Sequence, residues 1–307
     1  KALRKSKPGN RCFPLAFMRI KREMHEDKRH GTRLWREKLR YFGSHQISLR
    51  LMYFLCFAFI FSATVLVLHY VQVAREDKAL RELAAAMPVK ITDEDTFPAA
   101  TAAPLQPNQS PIILAQYREL YEQNTDMVGW IRIDGIKINY PVMYRADDFY
   151  LTHSFDKKDS KSGVPFVDKR CAVDPLGTNT IIYGHNMKNG TMFADLLKYM
   201  DDEYYMEHPL LQFDTLYEQQ NFEIIAVFKS QTYLKSDEVF KHYDFLGADD
   251  ATVFDEYIEN IKAVALYDTG VTASYGDKLL TLVTCAYHTE NGQFVVVARK
   301  HSIGQPE

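Results

Sequence analysis

The longest apolar run of the chain covers residues 51–68 and contains no charged side chain. A helix rises about 1.5 Å per residue, so a run of this length can cross the hydrocarbon core of a bilayer. Tyr53, His69 and Tyr70 lie near its two ends, where amphipathic rings suit the membrane interface. The pattern predicts a transmembrane anchor at residues 51–73.

A cleaved signal peptide is the alternative interpretation of this run. The apolar core of a signal peptide is shorter, about 7–15 residues. The small residues Ala84, Ala85 and Ala86 also lie too far downstream to be its cleavage site. The membrane anchor is therefore the better interpretation.

Charge is distributed unevenly on the two sides of the run. Residues 1–50 contain fifteen Lys and Arg against four Asp and Glu, whereas the chain from Ala74 onward contains 22 against 36. Basic flanks stay in the cytoplasm, which predicts a basic cytoplasmic segment at 1–50 and an extracellular remainder. The acidic outer part would repel phosphate, which argues against a nucleic-acid partner.

Residues 74–110 predict a short helix followed by a spacer. Residues 75–87 are rich in Ala, Leu, Glu and Arg, and residues 88–111 then contain five prolines. The Pro-rich composition of residues 88–111 cannot build a hydrophobic core and is typical of a spacer. Ser110 and Pro111 resemble a helix N-cap and first turn, so we expect a packed helix from there to about Asn124, opening a domain at 111–307.

From Gly129 onward, short apolar runs of strand type replace the helical spacing. Asp134 and Gly135 predict a turn between the first two strands. Predicted helices at 192–200 and 249–264 interrupt the later strands. Short strands at irregular spacing favour a mixed or antiparallel barrel, mainly β with added helices. The predicted strands are 130–133, 136–143, 164–167, 180–183, 221–228, 279–284 and 294–298.

Of the four cysteines, Cys171 and Cys285 belong to the predicted extracellular part. They could form a disulfide with each other, although two cysteines do not make a disulfide framework. Cys285 ends the apolar run 279–284 and is followed at once by polar, turn-forming residues. A cysteine at the end of a buried strand is commonly an inert core residue. The polar turn after Cys285 predicts instead that this thiol lies at the solvent-accessible rim of the domain.

His185 follows a predicted strand and Gly184, which predicts an imidazole on a loop at a strand end. A thiol needs a nearby imidazole to become an effective nucleophile and to protonate a leaving amine. A metal site of His185, Cys285 and His288 is the alternative, but no zinc spacing supports it. We therefore predict neither metal nor cofactor. The remaining isolated histidines of the outer part are expected on the surface: His153, His208 and His242.

Several segments of the chain resemble one enzyme family, in the right order and over residues 111–300. The sequence TLVTC at 281–285 resembles the TLxTC signature of sortases. The histidine segment NTIIYGHNM at 179–187 is similar to that of the class B branch, as are the segments GWI at 129–131, INYPV at 138–142 and YDTGV at 267–271. The anchor and spacer agree with this family's topology.

The resemblance implies a closed eight-stranded barrel with N-terminal helices and, in class B, an extra helix between the sixth and seventh strands, here at 249–264. It implies a single-pass protein of the bacterial plasma membrane. Cys285 would attack a C-terminal sorting motif of a secreted protein, and His185 would protonate the leaving group. An amine of a cell-wall precursor or of a pilin would then release the product. Tyr183, Thr284 and Asn139 would line the substrate groove.

The chain departs from the family at one position. The family has an arginine just before the apolar run at 294–297, where this chain has Gln293. Gln293 keeps an N–H donor for the oxyanion but has no charge, and losing one such donor typically costs about a hundred- to a thousandfold in rate. Arg299 has the same strand parity but would lie about 20 Å away. We do not expect Arg299 to replace the missing arginine.

Three explanations of Gln293 stay open: a change introduced to slow the enzyme, a naturally weak enzyme, or a relative that binds sorting signals without efficient turnover. A cysteine protease of another fold is a further alternative. Papain-like enzymes place the cysteine before the histidine in the chain, and caspase-like enzymes need a Q-A-C-x-G motif that is absent here.

Overall fold

The structure is a computed structural model, and it describes residues 45–85 and 111–301. The predictions for residues 1–44, for the spacer at 86–110 and for Ser110 as a helix cap lie outside the described residues. The chain divides into two compact units, residues 1–71 and residues 72–307. The proposed boundaries at 50, 73 and 110 stay predictions.

Helix α1 spans His45–Ala85 without a break. In its first part the apolar side chains are exposed, including Phe57 and Phe59, which are 69% and 75% exposed. Exposed apolar surface of this extent suits a lipid environment better than water. By length and composition, α1 is the one helix in the described part of the chain that could cross a membrane.

The second unit contains a closed barrel of eight strands within the described residues, in the order β1-β2-β3-β4-β7-β8-β6-β5. This confirms the predicted closed barrel. The pairs β2–β3 and β4–β7 are parallel and the others are antiparallel. The strands are β1 Met127–Arg132, β2 Asn139–Met143, β3 Phe166–Val167, β4 Asn179–Tyr183, β5 Leu210–Thr215, β6 Asn221–Gln231, β7 Leu279–Cys285 and β8 Gly292–Lys300.

Besides the end of α1, the α-helices among the described residues of this unit are α2 Ala115–Gln123, α3 Asp202–Glu207 and α4 Ala251–Ala263. Helix α4 connects β6 to β7, as predicted, and the side chain of Asp250 caps it by accepting from the Val253 amide at 3.1 Å. The segment predicted as a helix at 192–200 is a 3-10 helix, Ala194–Met200. Helix α2 begins later than expected, because the Leu114 amide donates to the Leu216 carbonyl at 2.8 Å instead of entering a helical turn.

Strand β5 was not predicted from the sequence, although it closes the barrel between β1 and β6. Its inward residues Leu211 and Phe213 are buried, but Asp214 is buried as well. Asp214 is tolerated there because it accepts a 2.5 Å hydrogen bond from the Tyr117 hydroxyl of α2. A charged residue at a buried strand position obscures the apolar pattern of the strand. The burial of Asp214 is explained by its hydrogen-bond donors, which are Tyr117 on α2, the Gln212 side chain and the Gln220 amide.

The predicted surface position of His242 is wrong. Its side chain is fully buried, and its ring packs edge-on against Phe228 and Tyr243. Burial lowers the pKa of His242 to about 4. The isolated histidine in a polar stretch gave no indication of this, because its burial comes from packing between β6 and the loop after it.

Candidate active site

His185 and Cys285 are brought together by the parallel pairing of β4 and β7. Their register aligns Tyr183 with Val283. Each of the two site residues follows two positions later, so both lie at the carboxyl ends of neighbouring parallel strands. The sequence alone did not show that the two residues are close, because about a hundred residues lie between them. Cys285 is exposed and His185 is half-buried, which leaves both accessible from the rim.

The loop that carries His185 is fastened to the strand that carries Cys285. The hydroxyl of Thr284 donates to the Gly184 carbonyl at 2.8 Å, and the Asn186 amide side chain donates to the Cys285 carbonyl at 2.9 Å. A Cβ at Gly184 would lie 2.6 Å from the Phe193 ring. The glycine is therefore needed for the loop to lie this close.

A cavity of about 400 Å³ opens above these residues. Four predicted site residues line it together with Cys285: His185, Gln293, Tyr183 and Thr284. Asn139 does not line the cavity. The cavity lies near the other end of β2, where Met143 pairs with the lining residue Phe166. At its own end of the strand, Asn139 accepts a 2.6 Å hydrogen bond from the Trp130 indole. The structure thus brings together all the predicted site residues except Asn139.

The imidazole of His185 is held by a backbone group. Its Nε2 lies 2.8 Å from the carbonyl oxygen of Leu151, which also lines the cavity. A carbonyl can only accept a hydrogen bond, so Nε2 carries the proton in this arrangement. The other ring nitrogen, Nδ1, therefore carries no proton in the neutral ring and can accept one.

Gln293 lies directly opposite Cys285 in the antiparallel β7–β8 pair. Its Oε1 is buried and has no hydrogen-bond partner among the residues that the structure describes. Arg299 pairs with Leu279 at the other end of β7 and donates to Glu223 at 3.0 Å. Arg299 is therefore too far along the strand and already paired, as the strand geometry had predicted.

Lys169 and Arg170 also line the cavity, but each is paired with a carboxylate. The ammonium group of Lys169 contacts Asp148 at 3.3 Å. The guanidinium of Arg170 donates to both oxygens of Asp168, at 3.0 and 2.7 Å, and to the Tyr243 carbonyl at 2.8 Å. Neither side chain offers an unpaired cation to the reaction centre.

Asp168 links this ion pair to the groove, because its Oδ2 accepts a 3.2 Å hydrogen bond from the Tyr183 hydroxyl. Burial raises the pKa of Asp168, but the hydrogen bonds and charge of Arg170 outweigh burial and set that pKa below its ordinary value. Burial and the Asp168 charge raise the pKa of Tyr183. Tyr183 therefore remains a neutral hydrogen-bond donor.

Sequence reasoning missed Asp168, Arg170 and Leu151 as parts of the site. A charged pair directly after the predicted strand at 164–167 was the available signal for the first two. Leu151 gave no signal, because it acts through its backbone carbonyl, which every residue possesses.

Cys171, the other cysteine of the barrel unit, is a core residue. The Cys171 thiol is buried, lies 3.5 Å from the Asn179 carbonyl and accepts from the Ile181 amide at 3.4 Å. Burial raises its pKa. Cys171 and Cys285 are both unpaired. Across residues 45–85 and 111–301, no group of three or more His, Cys, Asp and Glu side chains is arranged to hold a metal ion.

Comparisons with known proteins agree with this architecture. Residues 131–301 match the sortase domain family. Sortase B of Listeria monocytogenes is 35% identical over 184 residues, which cover 59% of this chain and 72% of the relative. Sortase B of Staphylococcus aureus is 30% identical over 190 residues, which cover 60% of this chain and 74% of the relative.

Solved structures are similar as well. The crystal structure of sortase B from B. anthracis in complex with AAEK1 superposes with a TM-score of 0.59 at 29% identity, covering 75% of this chain and 98% of that one. The chain thus belongs to the sortase family, in its class B branch. It is a cysteine transpeptidase that acts on surface proteins.

Proposed function

We propose that Cys285 is the nucleophile and His185 the proton donor of a membrane-anchored transpeptidase that cleaves a C-terminal sorting motif of secreted proteins. One observation carries the assignment: the parallel β4–β7 register aligns the two residues at one barrel rim, and both line the same cavity. The Staphylococcus aureus sortase B–substrate complex, at 27% identity and a TM-score of 0.56, supports peptide binding by this fold; the match covers 62% of this chain and 87% of that chain.

The first half-reaction is acyl transfer to the enzyme. Nδ1 of His185 takes the proton of the Cys285 thiol, and the sulfur attacks the carbonyl carbon of the scissile peptide bond, whose C=O π electrons move to oxygen to form a tetrahedral oxyanion. The carbon–nitrogen bond then breaks, and His185 gives its proton to the leaving amine. A thioester on Cys285 remains, and the C-terminal fragment departs.

The second half-reaction releases the surface protein. An amine of a cell-wall precursor or of a pilin attacks the thioester carbon and loses a proton to His185. The carbon–sulfur bond breaks, and Cys285 recovers its thiol. Tyr183 and Thr284, which line the cavity beside the pair, would contact the bound peptide.

We further propose that residues 51–73 anchor the enzyme, with residues 1–50 in the cytoplasm and the barrel outside the cell. The exposed apolar surface of α1 supports a membrane span. The excess of basic residues before the span supports the orientation.

Gln293 supports a second candidate function, that of an impaired sortase relative that binds sorting signals without efficient turnover. The cavity lacks the family's arginine opposite Cys285, and its Lys169 and Arg170 are both paired with carboxylates. A neutral amide stabilises an oxyanion less than a guanidinium does. The two candidates differ only in whether an acyl-enzyme accumulates and turns over.

The test is a search for the thioester by intact mass. The full chain in detergent is incubated with a panel of sorting-motif peptides, and Cys285→Ala is the matched control. An adduct on wild type that is absent from the variant, and that hydroxylamine releases, would support the transpeptidase. Peptide binding without an adduct would support the impaired relative, and absence of both would contradict the assignment.

A further inference from the structure

The carbonyl that holds His185 belongs to a folded-back segment, residues 149–164. Its two arms are joined by backbone hydrogen bonds: the Ser160 amide donates to the Thr152 carbonyl at 2.9 Å, and the Val164 amide donates to the Tyr150 carbonyl at 3.1 Å. The position of Leu151 in the first arm therefore depends on the second arm.

Gly163 places the second arm directly against the carbonyl in question. Its φ is +56°, and a Cβ built on it would lie 2.4 Å from the Tyr150 oxygen and 2.8 Å from the Leu151 oxygen. Only glycine can adopt this backbone and leave the two carbonyls in place. A shift of the second arm would therefore move the acceptor of the His185 hydrogen bond.

Glu76 of helix α1 holds the second arm in place through two hydrogen bonds. Its Oε2 accepts hydrogen bonds from the Ser160 hydroxyl at 2.8 Å and from the Ser162 hydroxyl at 3.3 Å. Both serines are buried, at 6% and 4% exposure. A buried hydroxyl that loses its acceptor is unfavourable, so the carboxylate determines where the arm rests. Glu76 Oε1 is itself held by the Gln72 amide at 3.1 Å.

We propose that Glu76 is a positioning residue for His185, acting through Ser160, Ser162 and the Leu151 carbonyl. Through this chain of contacts, the helix that follows the apolar run keeps the proton of His185 on Nε2 and leaves Nδ1 for proton exchange with the thiol and the leaving amine. The inference rests on the proposed catalytic role of His185 and adds a residue far from it in sequence, on a different element.

The kinetic test uses the full chain in detergent with a cleavable sorting peptide and hydroxylamine as the amine. Glu76→Ala should lower kcat about tenfold and leave KM within about twofold, because misplacement of a catalytic group by about 1 Å can cost up to a hundredfold in rate. Glu76→Gln keeps an acceptor oxygen and should stay within about threefold of wild type. Glu82→Ala is the control, since Glu82 is exposed on the same helix and pairs with exposed Lys78.

A spectroscopic test does not need turnover. In protein labelled with ¹⁵N in the histidine rings, the His185 signals are identified by their loss in His185→Asn. Wild type should show a protonated, hydrogen-bonded Nε2 and an unprotonated Nδ1. Glu76→Ala and Gly163→Ala should each produce a mixture of tautomers, while Glu82→Ala should not.

Unchanged ring signals in Glu76→Ala would overturn the proposal, even if kcat fell, because the loss would then reflect stability alone. A wild-type kcat in Glu76→Ala would overturn it as well. An inactive wild type whose ring signals still respond to Glu76→Ala would contradict the proposed function while upholding the positioning contact.

Discussion

Replacing Gln293 by arginine should raise the rate of transpeptidation at least about tenfold and leave the fold unchanged. Gln293 lies opposite Cys285 across β7 and β8, half-buried at the wall of a cavity of about 400 Å³. A longer side chain can therefore extend into the cavity without displacing the core. Because Oε1 of Gln293 has no partner among the described residues, the substitution breaks no hydrogen bond of that oxygen.

The magnitude follows from the strength of the donor. A hydrogen bond to the charged oxyanion contributes about 1.5–3 kcal/mol. The Gln293 amide can donate one such bond, whereas a guanidinium can donate two and carries a positive charge. The added bond, at least about 1.5 kcal/mol, corresponds to roughly a factor of ten or more in rate. If Gln293 donates nothing to the oxyanion, the gain would approach the hundred- to thousandfold typical of one oxyanion donor.

The assay is the initial rate of peptide cleavage with hydroxylamine as acceptor, together with the rate of thioester formation by rapid quench and intact mass. Gln293→Lys is the matched control, because it adds the charge without the planar fork of donors and should give a smaller gain. Gln293→Leu removes the donor and should lower the rate below that of wild type.

Equal rates for wild type and Gln293→Arg, with equal thermal stability, would refute the reasoning. A wild-type rate in Gln293→Leu would show that the residue at this position does not contact the oxyanion at all. Backbone amides near Cys285 would then be the donors to the oxyanion.

Three further substitutions test the packing around the site. Gly184→Ala should reduce thioester formation by more than about tenfold and also lower Tm, since its Cβ would lie 2.6 Å from the buried Phe193 ring and push the His185 loop away. Arg170→Ala should lower the unfolding free energy by about 2 kcal/mol, less than for a fully buried pair because the guanidinium is partly exposed. That loss should shrink as the pH falls below about 4, because the Asp168 pKa is depressed in the folded state. The pKa of His242 falls from 6.5 to about 4 on folding, so wild type should lose up to about 3 kcal/mol as the pH drops across that window, and His242→Leu should not. Urea unfolding at several pH values measures the last two.

The amino-acid pattern was sufficient for the elements whose signal is local. An uncharged run at 51–68 predicts a helix of membrane length whatever surrounds it, because hydrocarbon tolerates no unpaired backbone or charge. Seven of the eight strands of the barrel and helix α4 followed from apolar spacing and turn residues, since these depend on near neighbours. Strand β5 did not, because the burial of its Asp214 depends on hydrogen bonds from Tyr117, Gln212 and Gln220 that form only in the folded barrel.

The candidate site likewise has residues that the sequence revealed and contacts that only the structure revealed. Cys285 and His185 were recognisable because a reactive side chain at a strand end has both a chemical identity and a sequence context. The contacts around them depend on strand register and on backbone atoms. Backbone atoms are the same in every residue, so the residue types do not reveal these contacts. Only the tertiary structure showed that Leu151 holds His185 through its carbonyl, that Asp168 and Arg170 pair in the cavity wall, and that Asn139 lies outside it.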